Sequence, residues 1–288
     1  MLDFDYYQPR STDELTQLLA RTGGKVVAGG TDLLPRMRQR QERYPSLVDI
    51  SRLPLDGIRL EQGWLRIGAL ATHAGLVASG LIQAWAPALA AAAASVGCPQ
   101  TRRRGTLGGN LANASPAADT APPLLALEAE AGLNGLQGPR RVPLAAFFLG
   151  PGRTCLAPGE YLEEVRLPCP DGRWGAGFQK LGRRNGMAIA VVSAAACLAL
   201  DNRGRVRAAR LALGSVAPCP VRSPHAEALL AGQSPGPELF RQAGLAALAD
   251  LAPVDDIRAS ARYRLAAAAV VAARALALAF DQALRRQP

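Results

Sequence analysis

Leu15, Leu18 and Leu19 recur at helical spacing just after Ser11 and Thr12, which can cap a helix, with Glu14 near the capping-box position. Gly23-Gly24 ends that helix. Lys25-Val26-Val27-Ala28 then reads as a short buried strand running directly into Gly29-Gly30, and Leu47-Val48-Asp49-Ile50 as the next strand. The opening therefore predicts a strand–helix–strand unit. Around Pro54 the pattern changes. Residues 57–60 and 64–67 flank a Gln62-Gly63 turn and predict a hairpin. Residues 72–78 and 81–96 predict two helices, the second with an alanine run suited to close packing. A polar, glycine-rich segment from Cys98 to Asp119 follows, and then an apolar stretch over 122–127.

Residues 128–133, 141–143 and 161–167 read as further strands. Two prolines and a glycine between Pro168 and Gly172 mark a domain boundary. Beyond it, residues 177–181, 188–200 and 206–214 alternate as an antiparallel meander, with Asn202-Arg203-Gly204 as one of its turns. From Arg222 onward the apolar spacing is helical, through Leu229, Leu230, Leu239, Leu245 and Leu248 to a long helix over 263–284. The fold class expected is α+β, with units over 1–54, 55–172 and 173–288, the last a three-stranded antiparallel sheet plus helices.

Composition changes this picture little. The 288 residues are 49% apolar but only 5% aromatic, so alanine, leucine and valine must fill the core. The longest apolar stretches, 188–200 (interrupted by Ser193) and 265–273, fall short of the roughly 20 residues that span a bilayer. The acidic start, Met-Leu-Asp-Phe-Asp, is not a signal peptide. No transmembrane segment is expected.

Charge matters more. Lys and Arg number 33 against 23 Asp and Glu, a net +10, yet only Lys25 and Lys180 are lysines. The arginines are spread along the chain, the longest run being Arg102-Arg103-Arg104. A nucleic-acid surface gathers its charge on one face, so no nucleic acid is expected. A solvated arginine-biased surface, or a basic face docking onto an acidic protein, remains. Five cysteines, none in a C-x-x-C pair, fit a reducing, cytoplasmic setting. With only His73 and His225 besides them, no protein-bound metal is expected, and each histidine reads as solvated or capping.

The common catalytic signatures are absent: there is no G-x-S-x-G elbow, no G-x-x-x-x-G-K-[ST] and no G-x-G-x-x-G. Two glycine-rich segments stand out instead. The first is Val27-Ala28-Gly29-Gly30-Thr31-Asp32-Leu33-Leu34, the second Arg104-Gly105-Thr106-Leu107-Gly108-Gly109-Asn110-Leu111. Each is either a tight turn or an anion-binding concavity of successive N–H groups, since paired glycines permit positive φ and close approach. Converging, the two would hold a pyrophosphate. Asp119 is either a helix N-cap or a carboxylate for ribose hydroxyls.

These two motifs resemble the pyrophosphate-binding loops of the FAD subunits of molybdenum hydroxylases such as xanthine dehydrogenase and carbon monoxide dehydrogenase. The resemblance extends, in order, over Pro116-Ala117-Ala118-Asp119, Gly150-Pro151-Gly152-Arg153-Thr154, Glu160-Tyr161-Leu162, Phe178-Gln179-Lys180 and Ala261-Arg262-Tyr263-Arg264. It implies a two-part FAD-binding domain of the PCMH/VAO type, over 1–54 and 55–172, followed by a C-terminal domain. It further implies that Val27, Ala28, Gly29, Gly30, Thr31, Asp32, Leu33 and Leu34 cradle the FAD pyrophosphate, with Thr106, Gly108, Gly109 and Asn110 opposite. Asp119 would bind the adenosine ribose, Leu162 would pack near the cofactor, and Lys180 would lie near the isoalloxazine. Val96 stands where some members carry an aromatic residue. The implied function is electron transfer: a molybdenum-binding large subunit and a 2Fe–2S small subunit feed noncovalent FAD on this chain, in a dimer of heterotrimers, and NAD or another carrier takes the electrons. A stand-alone flavoenzyme of the same fold needs an acid–base set that the sequence does not show. A non-enzymatic basic binding protein needs a clustered charge stripe.

Overall fold

A computed structural model describes residues 3–286 of the chain. The first lobe is a small parallel sheet wrapped by two helices. Its elements are β1 (Asp5–Tyr7), α1 (Thr12–Thr22), β2 (Lys25–Val27), α2 (Leu33–Arg38) and β3 (Ser46–Asp49), with strand order β1-β3-β2. The capping signal at α1 is realised: Ser11 Oγ accepts from the Glu14 N–H at 3.1 Å, and Gly23 closes the helix at φ 59°. Leu15 and Leu19 pack on Val48 and Ile50.

The second lobe comprises β4 (Ile58–Glu61), β5 (Trp64–Gly68), α3 (His73–Ala78), α4 (Gly80–Trp85), α5 (Pro87–Ala94), α6 (Pro99–Arg104), α7 (Leu107–Ala112), α8 (Ala121–Ala126), β6 (Glu130–Asn134), β7 (Arg140–Pro143), β8 (Phe148–Gly150), β9 (Arg153–Thr154) and β10 (Tyr161–Pro168). Five of the strands form an antiparallel sheet, β4-β5-β10-β6-β7. Gln62 and Gly63 both have positive φ, as the tight hairpin turn between β4 and β5 requires. Two expectations change here. The single helix over 81–96 is two helices, α4 and α5, because Pro87 lacks an N–H and turns Ala86 out of the helical region, to φ −144°. The glycine-rich stretch from Cys98, to which the sequence assigned no element, holds two short helices, since Pro99 starts α6 and the Thr106 side chain caps α7.

The last unit holds β11 (Arg173–Gly182), β12 (Ala190–Leu200), β13 (Val206–Gly214) and β14 (Val221–Arg222), then α9 (Pro224–Leu230), α10 (Pro237–Ala246) and α11 (Ala261–Arg285). The meander is as expected, with a two-residue fourth strand added at its edge. One face of this sheet carries Leu211, Val192 and Leu198 against the helices. The other contributes Trp174, Ala176, Phe178, Ala195 and Ala212 to the core of the second lobe. The sheet is therefore a slab shared by two cores. By length and composition α11 could cross a membrane, but it lies along β11 and β12 with Ala268, Ala272, Ala275, Ala279 and Ala283 fully buried. Its approach is close. A Cβ on Gly177 would sit 2.5 Å from the Ala275 carbonyl oxygen, so only glycine fits there.

Candidate functional site

Strand β2 delivers its last residue, Val27, into the first glycine motif, and the Val27 carbonyl accepts from the Ile50 N–H at 2.9 Å. Ala28 packs partly into the first lobe's core. Gly30 takes φ 71°, which turns the chain toward α2. Among the described residues, no acceptor takes up the backbone N–H groups of Gly29, Gly30, Thr31 or Asp32, and Asp32 makes no side-chain cap on α2. Leu33 and Leu34 form the first turn of α2. The first motif thus leaves four successive N–H groups unpaired, which suits an anion.

The second motif differs. Thr106 Oγ1 accepts from the Gly109 N–H at 3.0 Å, the Gly108 N–H donates to the Ala69 carbonyl at 2.8 Å, and the Asn110 N–H donates to the Thr106 carbonyl at 3.0 Å. Its amides are spent within the protein. Neither Gly108 nor Gly109 has positive φ, contrary to the expectation for paired glycines. Gly108 is required by space instead: a Cβ there would lie 2.6 Å from the Ala69 Cβ. The second motif is a braced wall rather than a second donor cradle.

The two motifs converge. A Cβ on Gly29 would fall 1.9 Å from the Arg104 carbonyl oxygen, so the first loop presses directly on the residue that opens the second. Arg36 on α2, itself held by Glu42 at 3.0 Å, reinforces the contact through Asn113 at the end of α7. Arg102 is turned inward, donating to the Val96 and Gly97 carbonyls at 2.9 and 3.3 Å.

From Asn110 the chain of contacts continues. Thr120 Oγ1 donates to Asn110 Oδ1 at 2.5 Å, and the neighbouring Asp119 is 7% exposed. Lys180 on β11 reaches across the domain boundary to Asp119 Oδ2 at 2.5 Å and to the Ser95 carbonyl, next to Val96, at 3.2 Å. Burial pushes the Asp119 carboxyl up to about 6 while Lys180 pulls it back. Among the described residues, Asp119 Oδ1 has no partner. A buried acceptor without a donor is costly, and it marks where a ligand donor would fit. Leu162 stands opposite Leu133 in the β10–β6 ladder and is buried in the second lobe's core, which also holds Leu107 and Leu111 of the second motif.

His73 is not solvated, as the sequence suggested. It is buried behind the second motif, where its backbone N–H donates to the Gly105 carbonyl at 3.0 Å and, among the described residues, its ring Nδ1 has no partner. The bridge between Thr72 and Thr106 carries it there. Burial, aided by Arg102, lowers its pKa to about 4. His225 is exposed and meets Asp250 at 2.7 Å. Arg36, Asn113, Thr120 and Ser95 escaped the sequence reading. Only Thr120, adjacent to Asp119, carried any local signal.

Unpaired amides on one side, a braced wall on the other and a buried carboxylate oxygen beyond suit an extended ligand with a diphosphate and hydroxyl groups, as FAD has. Comparison with known proteins defines the class. Residues 2–170 match the FAD binding domain in molybdopterin dehydrogenase, and residues 176–279 match the CO dehydrogenase flavoprotein C-terminal domain.

The chain is 36% identical over 276 residues to the carbon monoxide dehydrogenase medium chain of Hydrogenophaga pseudoflava, covering 95% of this chain and 96% of the relative. It is also 36% identical over 270 residues to the xanthine dehydrogenase FAD-binding subunit of Escherichia coli O157:H7, covering 92% of each. The Hydrogenophaga carbon monoxide dehydrogenase structure superposes with a TM-score of 0.93 at 37% identity, covering 97% of this chain and 98% of that one. Quinoline 2-oxidoreductase from Pseudomonas putida 86 superposes with a TM-score of 0.91 at 32% identity, covering 98% of each. The chain belongs to the FAD-binding subunits of the molybdenum hydroxylase family.

Proposed function

We propose that this chain holds FAD noncovalently and serves as the electron-transfer subunit of a molybdenum hydroxylase. In this reading the FAD-binding domain has two parts, 1–54 and 55–172, and 173–288 is the C-terminal domain. A molybdenum-binding large subunit and a 2Fe–2S small subunit complete the enzyme, as a dimer of heterotrimers in the cytoplasm. When bound, FAD accepts electrons from the iron–sulfur side and releases them to NAD or another acceptor, which is chemistry no side chain of this protein supplies.

The chain's own residues bind and orient. The open amides of Gly29, Gly30, Thr31 and Asp32 face the diphosphate. Thr106, Gly108, Gly109 and Asn110 form the wall that fixes its position. Asp119 accepts from a hydroxyl, and Lys180, which is bonded to Asp119, and Val96 border the cofactor at that same end. The observation that carries this reading is the convergence of Gly29 on Arg104, which brings motifs far apart in sequence into one site. Substrate choice lies with the large subunit. The relatives' names span carbon monoxide, xanthine, nicotine, nicotinate and caffeine on chains 31 to 36% identical to this one.

The test uses the complex purified from its source, reduced anaerobically with limiting dithionite and then mixed with NAD⁺. Recovery of the flavin absorbance on mixing assigns NAD as acceptor. Recovery only with a quinone or oxygen assigns another carrier. Isolation of the chain without large or iron–sulfur partners contradicts the proposal.

A further inference from the structure

Three residues form one row across the C-terminal sheet. Lys180 on β11 stands opposite Ser193 on β12, and Ser193 stands opposite Gly214 on β13. The row lies against the segment that carries Asp119. At one end, Lys180 supplies the only hydrogen bond to the Asp119 carboxylate among the described residues. At the other, the Ser215 N–H donates to the Pro116 carbonyl at 2.8 Å. A Cβ added to Gly214 would lie 3.1 Å from Pro122 Cγ and 2.6 Å from Ser193 Oγ. Ser193 is fully buried, and among the described residues its hydroxyl has no partner, so Gly214 and Ser193 meet by packing alone. Pro116 and Pro122 flank Asp119 on both sides. The carboxylate's hydrogen bond therefore comes from the C-terminal domain, while its own lobe holds the neighbouring Thr120 through Asn110.

We propose that the Lys180–Ser193–Gly214 row is a positioning device that clamps residues 116–122 and aims the free Oδ1 of Asp119 at a hydroxyl of FAD. Lys180 and Gly214 are then positioning residues that act through Asp119, and the C-terminal domain sets FAD affinity without owning the donors of the first loop. Lys180 needs no direct flavin contact for this role. The inference rests on the flavin-site reading above.

The test measures FAD affinity of the full chain by flavin fluorescence quenching, with melting of the FAD-free protein in parallel. The variants are K180M, K180R, D119N, the double K180M/D119N, and G214A. K180M and D119N should each weaken binding about tenfold or more, because each disrupts a buried charge pair. The double variant should be no worse than about twofold beyond the weaker single, since the two residues act as one unit. K180R should recover most of the affinity. G214A, which alters neither charge, should weaken binding about threefold by pushing on Pro122 and Ser193. Independent, multiplying losses in the double variant, or unchanged affinity in a folded K180M or G214A, would overturn the proposal. A wild-type chain that binds no FAD would instead remove the site reading beneath it.

Discussion

The first 172 residues and the C-terminal domain are built on different scales. Among the described residues before β11 no helix exceeds the 11 residues of α1, and most have six. After it come strands of 10, 11 and 9 residues and a helix of 25. Six-residue helices are marginal alone, so the first part holds them by side-chain caps such as Thr72, Ser79 and Thr106 and by prolines at helix starts. The second part holds itself by long ladders and a helix seated on glycines. Close approach occurs in both, to different ends. Gly177 brings α11 onto the sheet for packing, whereas Gly29 brings the two glycine motifs together at the proposed FAD site. Sites need backbone groups left open and acceptors left unpaired, which a fully laddered slab does not offer. The slab contributes rigidity and, through Lys180, orientation.

The largest effect should come from the slab. Arg264 is 3% exposed and holds the Val191 and Ser215 carbonyls at 2.6 and 3.0 Å and Asp256 at 2.7 Å. Arg264→Met should cost about 3–5 kcal/mol and lower the melting temperature by on the order of 10 °C. Because Trp174 and Phe178 sit in the core of the second lobe, calorimetry should show one transition moving as a whole. Two separate transitions would show that the halves are independent.

Gly29→Ala should do the reverse. Its Cβ has no room beside the Arg104 carbonyl, so the loops must part. FAD affinity should fall about a hundredfold, while stability drops by about 1–3 kcal/mol. Fluorescence titration and melting on the same sample separate the two.

Acid should act through His73. Its folded pKa, about 4, lies below the unfolded value of 6.5. The stability it contributes is present above pH 6.5 and is lost as pH falls toward 4, a change of about 2 kcal/mol after allowance for solvent. Asp119 has the opposite sign. Its folded pKa of about 6 lies above the usual carboxylate value, so its contribution is present in acid and is lost as pH rises through 6. The two partly cancel in wild type. Comparing His73→Gln with wild type from pH 7 to pH 4 isolates the histidine, and the stability gap between them should shift in the variant's favour as pH falls.

The smallest effect is local. Thr106→Ala removes the cap of α7 and should cost about 1 kcal/mol, with a few-fold loss of FAD affinity.

What the sequence revealed followed the range of the interaction. The Ser11 cap, the Gln62-Gly63 turn and the alternating meander are decided by neighbours, and each was legible. The break at Pro87 was also written locally, but the alanine run masked it. The motifs themselves could be read only as turns or anion sites, and resemblance to a family chose between them. What stayed hidden is long-range. Lys180 and Asp119 are 61 positions apart, and nothing in either segment announces that they touch. His73 offered no pattern either, because a lone buried histidine looks like any other. That the second motif spends its amides on Ala69, Ala71 and Thr106 depends on a neighbouring loop and has no sequence signature.

The most direct measurement is an absorption spectrum of the purified chain, with the released cofactor identified after acid treatment and the FAD-free protein titrated with FAD. The expected result is a flavin spectrum, FAD rather than FMN in the supernatant, and saturation at one FAD per chain. A folded chain that stays colourless after incubation with FAD would contradict the flavin site and, with it, the electron-transfer role.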